Sequence, residues 1–299
     1  MRPLARLVVA APLAVSWVVP LGTTPAAAQE VVTPELIQVI DTSQLSPPSP
    51  DPSGLAVTPS GTLLFTDGEV EELPTLYRGR NAFEITTSGT LVDSFRTTRF
   101  SDEPVGVAVK RRTVFISDDD KDMVFRLRPG PDGRYGTRDD KVTSFRTRPF
   151  GSTDPEGLAF GMGALFIADG RDATVYRVGR GRNGVFDGVA PEGDDRVRSF
   201  GVSAFGQLDP EGIEFNPETG TLFVVSNQRG SNAIEVTTGG DLVREIDLST
   251  IGIRSPAGLA YGPRSTDPSL YSLYVADRGR DNGGDPLEND GKIYELALP

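Results

Sequence analysis

Asp154-Pro155-Glu156-Gly157-Leu158-Ala159-Phe160 is followed, three residues later, by Ala164-Leu165-Phe166-Ile167-Ala168-Asp169-Gly170. A Pro-Xaa-Gly turn leads into a short apolar strand, a tight turn reverses the chain, and a second apolar strand ends in Asp. The pattern occurs five times, anchored on Gly54, Gly106, Gly157, Gly212 and Gly258, at intervals of 52, 51, 55 and 46 residues. A period near fifty, built from short strands and Gly, Pro and Asp turns, is the sequence mark of propeller blades. The fold class predicted is all-β, a β-propeller.

Outward from these turns, each repeat supplies four strand candidates, a to d. They fall at 54–57, 62–66, 82–86 and 91–96; at 106–109, 113–117, 123–127 and 141–146; at 157–160, 164–168, 174–178 and 196–200; and at 212–215, 221–226, 233–236 and 242–247. The fifth repeat offers only 258–261, 272–276 and 292–297. Near the other end, Glu35-Leu36-Ile37-Gln38-Val39-Ile40-Asp41 alternates apolar and polar residues like an edge strand. The missing outer strand and the orphan strand complete each other. Residues 36–40 are expected to pair outside 292–297, closing the ring and leaving no open sheet edge. The count is five four-stranded blades in one domain over residues 29–299. Six blades would require degenerate strands hidden in 69–80, a stretch of twelve residues.

Residues 1–28 are expected to be a cleaved export signal. Arg2 and Arg6 form a basic start, 7–21 is mostly apolar, and Ala26-Ala27-Ala28 precedes Gln29. Pro12 and Pro20 interrupt a run too short to span a bilayer comfortably, so no membrane insertion is expected. The expected location is secreted, extracellular or periplasmic. Cysteine is absent, so the fold must hold without disulfides, as a single large core can. Histidine is absent too, which excludes a Ser-His-Asp triad, a His-ligated zinc site and an imidazole base. Chemistry is left to carboxylates, Arg, Lys, Tyr, Ser, Asn or a metal held by oxygen atoms. The formal charge is −12, and loss of the leader makes it about −14. Such a chain repels nucleic-acid backbones and anionic membranes, whereas acidic loops suit hard cations, calcium above all outside the cell. The partner expectation is a small-molecule or extracellular ligand taken by a monomer.

Propeller topology sorts the loops. Strand a lines the channel and successive strands run antiparallel outward, so the d–a and b–c loops share one rim. Pro and Gly recur in all five d–a turns, but the residue between them is Ser53, Val105, Glu156, Glu211 or Ala257. The turn does not need a carboxylate, yet two adjacent blades carry one. Asp154 and Asp209 lie just before these glutamates. Four carboxylates at a channel mouth repel unless a cation or shared protons relieve them. A bound metal and a merely solvated acidic rim are the two readings. Strand b ends in Asp67, Asp118, Asp169, Asn227 or Asp277. That recurrence points to structural acceptors for backbone N–H groups, with Asp169 and Asn227 candidate metal ligands besides. Arg171, Arg229 and Arg278 lie just beyond these positions, as clamps for an anionic substrate or as ordinary salt-bridge partners.

On the other face, the stretch from Asp132 to Asp140 sets oxygen ligands among glycines in the manner of a calcium loop, with Asp132 and Asp140 as candidate ligands. The stretch 183–195 repeats this in the next blade. A third acidic insert, around Asp281, Asp285 and Asp290, lies on the rim face.

The Pro-Xaa-Gly-(Leu/Val/Ile)-Ala starts and the endings Phe166-Ile167-Ala168-Asp169 and Tyr274-Val275-Ala276-Asp277 resemble the propellers of the NHL-repeat proteins and the gluconolactonase/regucalcin family. In the latter a divalent cation at the channel mouth is bound by Glu, Asn and Asp. The matching turn positions here hold Glu156 and Glu211, while Ser53, Val105 and Ala257 supply no ligand and no Asn occurs there. The Asp-Pro-Glu-Gly turns are similar to those of esterase-like relatives of phytase, in which acidic rims hold calcium. The resemblance implies a secreted, calcium-binding propeller with a metal site at its mouth. As an enzyme it would be a metal-dependent hydrolase of lactones, esters or phosphate esters, with Glu156 or Glu211 as base. The alternative is a non-catalytic ligand-binding or adhesion module that uses the same face.

Overall fold

The computed structural model describes residues 30–227, 232–280 and 288–299. The expected export signal, Arg229 and residues 281–287 of the third acidic insert lie outside the described residues. The described chain begins with β1 (Val31–Val32) and β2 (Glu35–Asp41). Blade 1 follows as β3 (Pro52–Val57), β4 (Leu63–Asp67), β5 (Ala82–Ile85) and β6 (Leu91–Phe95). Blade 2 comprises β7 (Gly106–Lys110), β8 (Thr113–Asp118), β9 (Met123–Arg128) and β10 (Lys141–Arg146). Blade 3 comprises β11 (Pro155–Gly161), β12 (Ala164–Asp169), β13 (Thr174–Gly179) and β14 (Arg196–Gly201). Blade 4 has β15 (Pro210–Asn216), β16 (Thr221–Ser226), β17 (Ala233–Thr237) and β18 (Leu242–Ile246). Blade 5 has β19 (Pro256–Pro263), β20 (Tyr271–Asp277) and β21 (Lys292–Ala297). The stretch 69–80, where a sixth blade would have had to hide, carries only a 3-10 turn at Val70–Glu72.

Closure follows the expected route. β2 runs antiparallel outside β21, from Glu35 opposite Ala297 to Asp41 opposite Lys292, and supplies the fourth strand of blade 5. The Gln38 side chain fixes this latch, donating to Glu295 at 2.7 Å and to the Thr87 carbonyl at 2.6 Å. Blade 5 and blade 1 are thereby tied through one residue. β1 was not expected. It adds a fifth, parallel strand outside β18 of blade 4, with Val31 opposite Glu245.

The recurring glycines have a packing reason. A Cβ on Gly106 would lie 2.2 Å from the Glu156 carbonyl oxygen, and one on Gly157 2.4 Å from that of Glu211. The same contact runs from Gly212 to Ala257 at 2.0 Å and from Gly258 back to Ser53 at 2.2 Å. Each inner strand therefore presses its backbone on the next, right round the ring, and only glycine leaves room. Between blades the apolar faces interlock. Phe65, Phe83 and Leu55 meet Tyr274 and Ile293 between blades 1 and 5, and Phe115 meets Leu158 and Phe186 between blades 2 and 3. The core is thus distributed over the blade interfaces, and no disulfide is needed. Among the described residues no helix is long and apolar enough to cross a membrane.

Candidate metal centre

Three positions of the repeat converge on one mouth of the ring. The first lies inside the Pro-Xaa-Gly turn. In four blades the start of the inner strand carries a register shift, at Pro52/Leu55, Pro155/Leu158, Pro210/Gly212 and Pro256/Leu259. A bulge of this kind re-aims the side chain it contains, here Ser53, Glu156, Glu211 or Ala257. The second position precedes the Pro, as Asp51, Glu103, Asp154, Asp209 or Ser255. The third follows the last residue of the second strand, as Gly68, Asp119, Gly170 or Arg278. Sequence comparison among the repeats singled out the first position, with Asp154 and Asp209 at the second, but neither Asp51 and Glu103 there nor Asp119 at the third.

The Asp closing each second strand is a staple. Oδ2 of Asp169 accepts from the N–H groups of Thr153 at 2.9 Å and Asp154 at 3.2 Å, and Oδ1 from that of Asp172 at 3.0 Å. Asp67 likewise accepts from Ser49 Oγ at 2.5 Å and from the N–H groups of Asp51 and Val70. Asp277 holds the N–H groups of Ser255 and Gly279. These carboxylates bind the d–a loop to the b–c loop and so fix where Asp51 and Asp154 sit. In blade 4, where Asn227 replaces Asp, its backbone N–H donates to the Asp209 carbonyl at 3.0 Å.

On this frame Asp119, Asp154 and Glu156 each bring a carboxylate oxygen within 4.8 Å of the others. Glu156 is buried, and Ser117 Oγ from blade 2 holds its backbone carbonyl at 2.5 Å. Gly170 lies between the blades. A Cβ there would be 2.9 Å from Asp154 Oδ2 and 2.9 Å from Asp209 Oδ1, so glycine leaves space for both carboxylates. Glu211, also buried, has Oε2 2.9 Å from Arg278 Nη2 in an ion pair without hydrogen-bond alignment. Of the sequence candidates, then, Asp154, Glu156, Asp209, Glu211 and Arg278 come together. Burial, then Asp169 and Asp209, raises Asp154, and Arg171, exposed at the edge, offsets this only in part.

The charge balance is lopsided. Burial raises Glu156 well above the usual carboxylate range, and Glu211 and Asp119 add to it. Glu211 is pushed up to about 7 by burial, partly offset by Arg278, and Asp119 to about 6 by burial and by Asp154. Asp51 reaches about 8 through burial, then Asp67 and Glu69. Burial alone would lower Arg278, but Glu211, Glu156, Glu69 and Asp51 outweigh it and raise it. A hard cation among oxygen ligands would relieve the carboxylates. Without one, protons must. A carboxyl group with a raised folded-state pKa stabilises the fold below its unfolded value and loses that contribution as pH rises through the folded one. Metal-free protein should therefore melt lower at pH 8 than at pH 5, and added calcium should narrow the gap. Thermal melts in chelator across that range check this, and a melting temperature that climbs with pH contradicts it.

The opposite-face loops behave differently. Asp140 accepts from the N–H groups of Gly130 and Thr137, and Asp132 from that of Arg134. Asp195 takes three backbone N–H groups, from Gly181, Asp187 and Gly188. Their carboxylates shape their own loops. Among the described residues, Asp132 and Asp140 belong to no cluster of metal-ligand type.

No family model and no curated protein matches this chain. Solved structures do. A glutaminyl cyclase of Myxococcus xanthus superposes with a TM-score of 0.56 at 12% identity, over 90% of this chain and 98% of that one. A luciferin-regenerating enzyme gives 0.51 at 14%, over 88% and 95%. Regucalcin from Agrobacterium tumefaciens, a calcium-binding protein, gives 0.49 at 13%, over 90% and 98%. At such identities the first two likenesses carry the propeller fold alone.

Proposed function

We propose that this protein is a secreted, monomeric β-propeller that holds a divalent cation, calcium foremost, on Asp119, Asp154 and Glu156. It uses that site to hydrolyse a lactone, ester or phosphate ester. The observation that carries the proposal is the approach of those three oxygens to within 4.8 Å, in a mouth whose carboxylates exceed the charge of Arg278. The donor set fits, since three carboxylates from two blades offer the hard oxygen atoms that calcium takes. When bound, a cation of this kind supplies Lewis acidity toward the substrate oxygen. The chain supplies the rest. Glu211 is suited to take a proton from the attacking water, with its carboxyl group poised near neutrality. Arg278, held beside it, offers a charged donor to an anionic group of the substrate. Export, which residues 1–28 suggest, would place this mouth where calcium is plentiful. The test is a panel of lactone, carboxylic ester and phosphate ester substrates, assayed with calcium and with chelator. Calcium-dependent turnover of one class is the expected result. Cation uptake with no turnover in any class would make the protein a binding module instead.

A further inference from the structure

On the face away from the mouth, a cleft of about 380 Å³ opens between blades 2 and 3. Lys110, Arg111, Arg112, Arg126, Arg128 and Arg180 line it, and no acidic residue does. In a chain with 30 basic and 42 acidic residues, six cations gathered without a carboxylate is the reverse of the overall balance. None of the six forms a salt bridge among the described residues. The half-buried Arg126 also has its Nε buried without a hydrogen-bond partner. Phe115 and Phe186, packed edge to face with centroids 5.5 Å apart, form the apolar floor.

The turn joining β7 to β8 holds Arg111 at φ 56°, a left-handed conformation that disfavours a long side chain. The matching two-residue turn of blade 3 holds Met162 at φ 50°, so the conformation belongs to the turn itself. The chain runs Lys110-Arg111-Arg112 through it, which brings three of the six cations together at the cleft.

We infer that this cleft binds a small polyanion bearing phosphate groups, at a site separate from the channel mouth. Guanidinium groups recognise phosphate through paired N–H donors, and a volume of this order suits a small molecule. The net negative charge of the protein does not oppose this. At physiological salt, charges more than about 8 Å away are largely screened, so the local cluster decides. The cluster also strains against itself. Burial lowers Lys110, with Arg180 and Arg111 adding to it, and burial lowers Arg126, with Arg128 adding to it. A bound anion would relieve both.

Isothermal titration of the full chain with inorganic pyrophosphate, in chelator-treated buffer, tests the inference. One saturable site is expected, weakening as sodium chloride rises. Arg112→Gln with Arg180→Gln alters exposed side chains, so folding should survive, as circular dichroism can verify. That pair should lose at least about tenfold in affinity, because two charge-assisted contacts go. Glu156→Gln, at the mouth, should leave pyrophosphate binding unchanged. No saturable binding, or binding indifferent to the arginine substitutions, would overturn the site. Binding abolished by Glu156→Gln alone would move the anion to the mouth and overturn it as well.

Discussion

A chain lacking residues 35–41 should melt roughly 10–20 °C below the intact protein and unfold over a broader range. The deletion removes β2, which pairs with β21 over its whole length, and with it the only outer strand of blade 5. Ile40, 5% exposed, leaves the core between blades 5 and 1, a loss of about 2 kcal/mol by burial alone. Gln38 no longer bridges Glu295 and the Thr87 carbonyl, so the 0%-exposed Glu295 keeps fewer donors. The seam then rests on the contact of Gly258 with Ser53 and on the packing of Leu55, Phe65 and Phe83 against Tyr274 and Ile293. β21 then becomes the outer edge of its sheet and is open to pairing with another chain, which also favours aggregation. Differential scanning calorimetry decides it. A melting temperature within a degree or two of the intact chain would mean that the ring does not need its latch.

The second large effect is chemical. Glu156→Gln together with Glu211→Gln should leave a folded protein whose hydrolytic turnover falls by about three orders of magnitude or more, since ligand and base act as a unit. Folding should survive because the same turn is built with Ser53, Val105 or Ala257 in the other blades. In chelator the double variant sets two effects against each other: two buried carboxyl groups raised above their ordinary range no longer compete for charge, while buried Arg278 loses its ion-pair partner. The single variants should part company. Glu156→Gln removes a repelling neighbour of Glu211, whereas Glu211→Gln removes the ion-pair partner of Arg278 and should be the less stable of the two. Turnover unchanged in the double variant would show that these glutamates are no part of the reaction.

The strands were legible because the repeat marks both ends of each, a Pro-Xaa-Gly turn before the inner strand and an Asp after the second. All twenty blade strands fall where the pattern puts them, to within a few residues. β1 escaped because two residues in parallel pairing have no periodicity to read. At the mouth, Glu156 and Glu211 stood out because three sister turns lack a carboxylate. Asp119 did not. It sits in an Asp118-Asp119-Asp120 run whose first member is the structural staple, and only the ring shows that the second faces Asp154 and Glu156. Asp51 and Glu103 share the register of Asp154 and Asp209, a signal present in the sequence but masked by the attention the turns draw. The acidic loops at 132–140 and 183–195 have ligand-like spacing. Which donors reach Asp140 and Asp195 depends on how each loop closes, and backbone N–H groups do. The basic cleft draws on three separated stretches in two blades, so no window along the chain contains it.

The most direct test is calcium titration of the metal-stripped protein, read by isothermal calorimetry and checked by metal analysis, beside Asp119→Asn with Glu156→Gln. The intact chain should take up one equivalent with release of protons, more weakly at pH 6 than at pH 8, because Asp119 and Glu211 are then competing for them. The variant should lose that equivalent while keeping its fold. An intact protein that takes up no cation, or a variant that binds with the same stoichiometry and affinity, would contradict a metal centre on Asp119, Asp154 and Glu156.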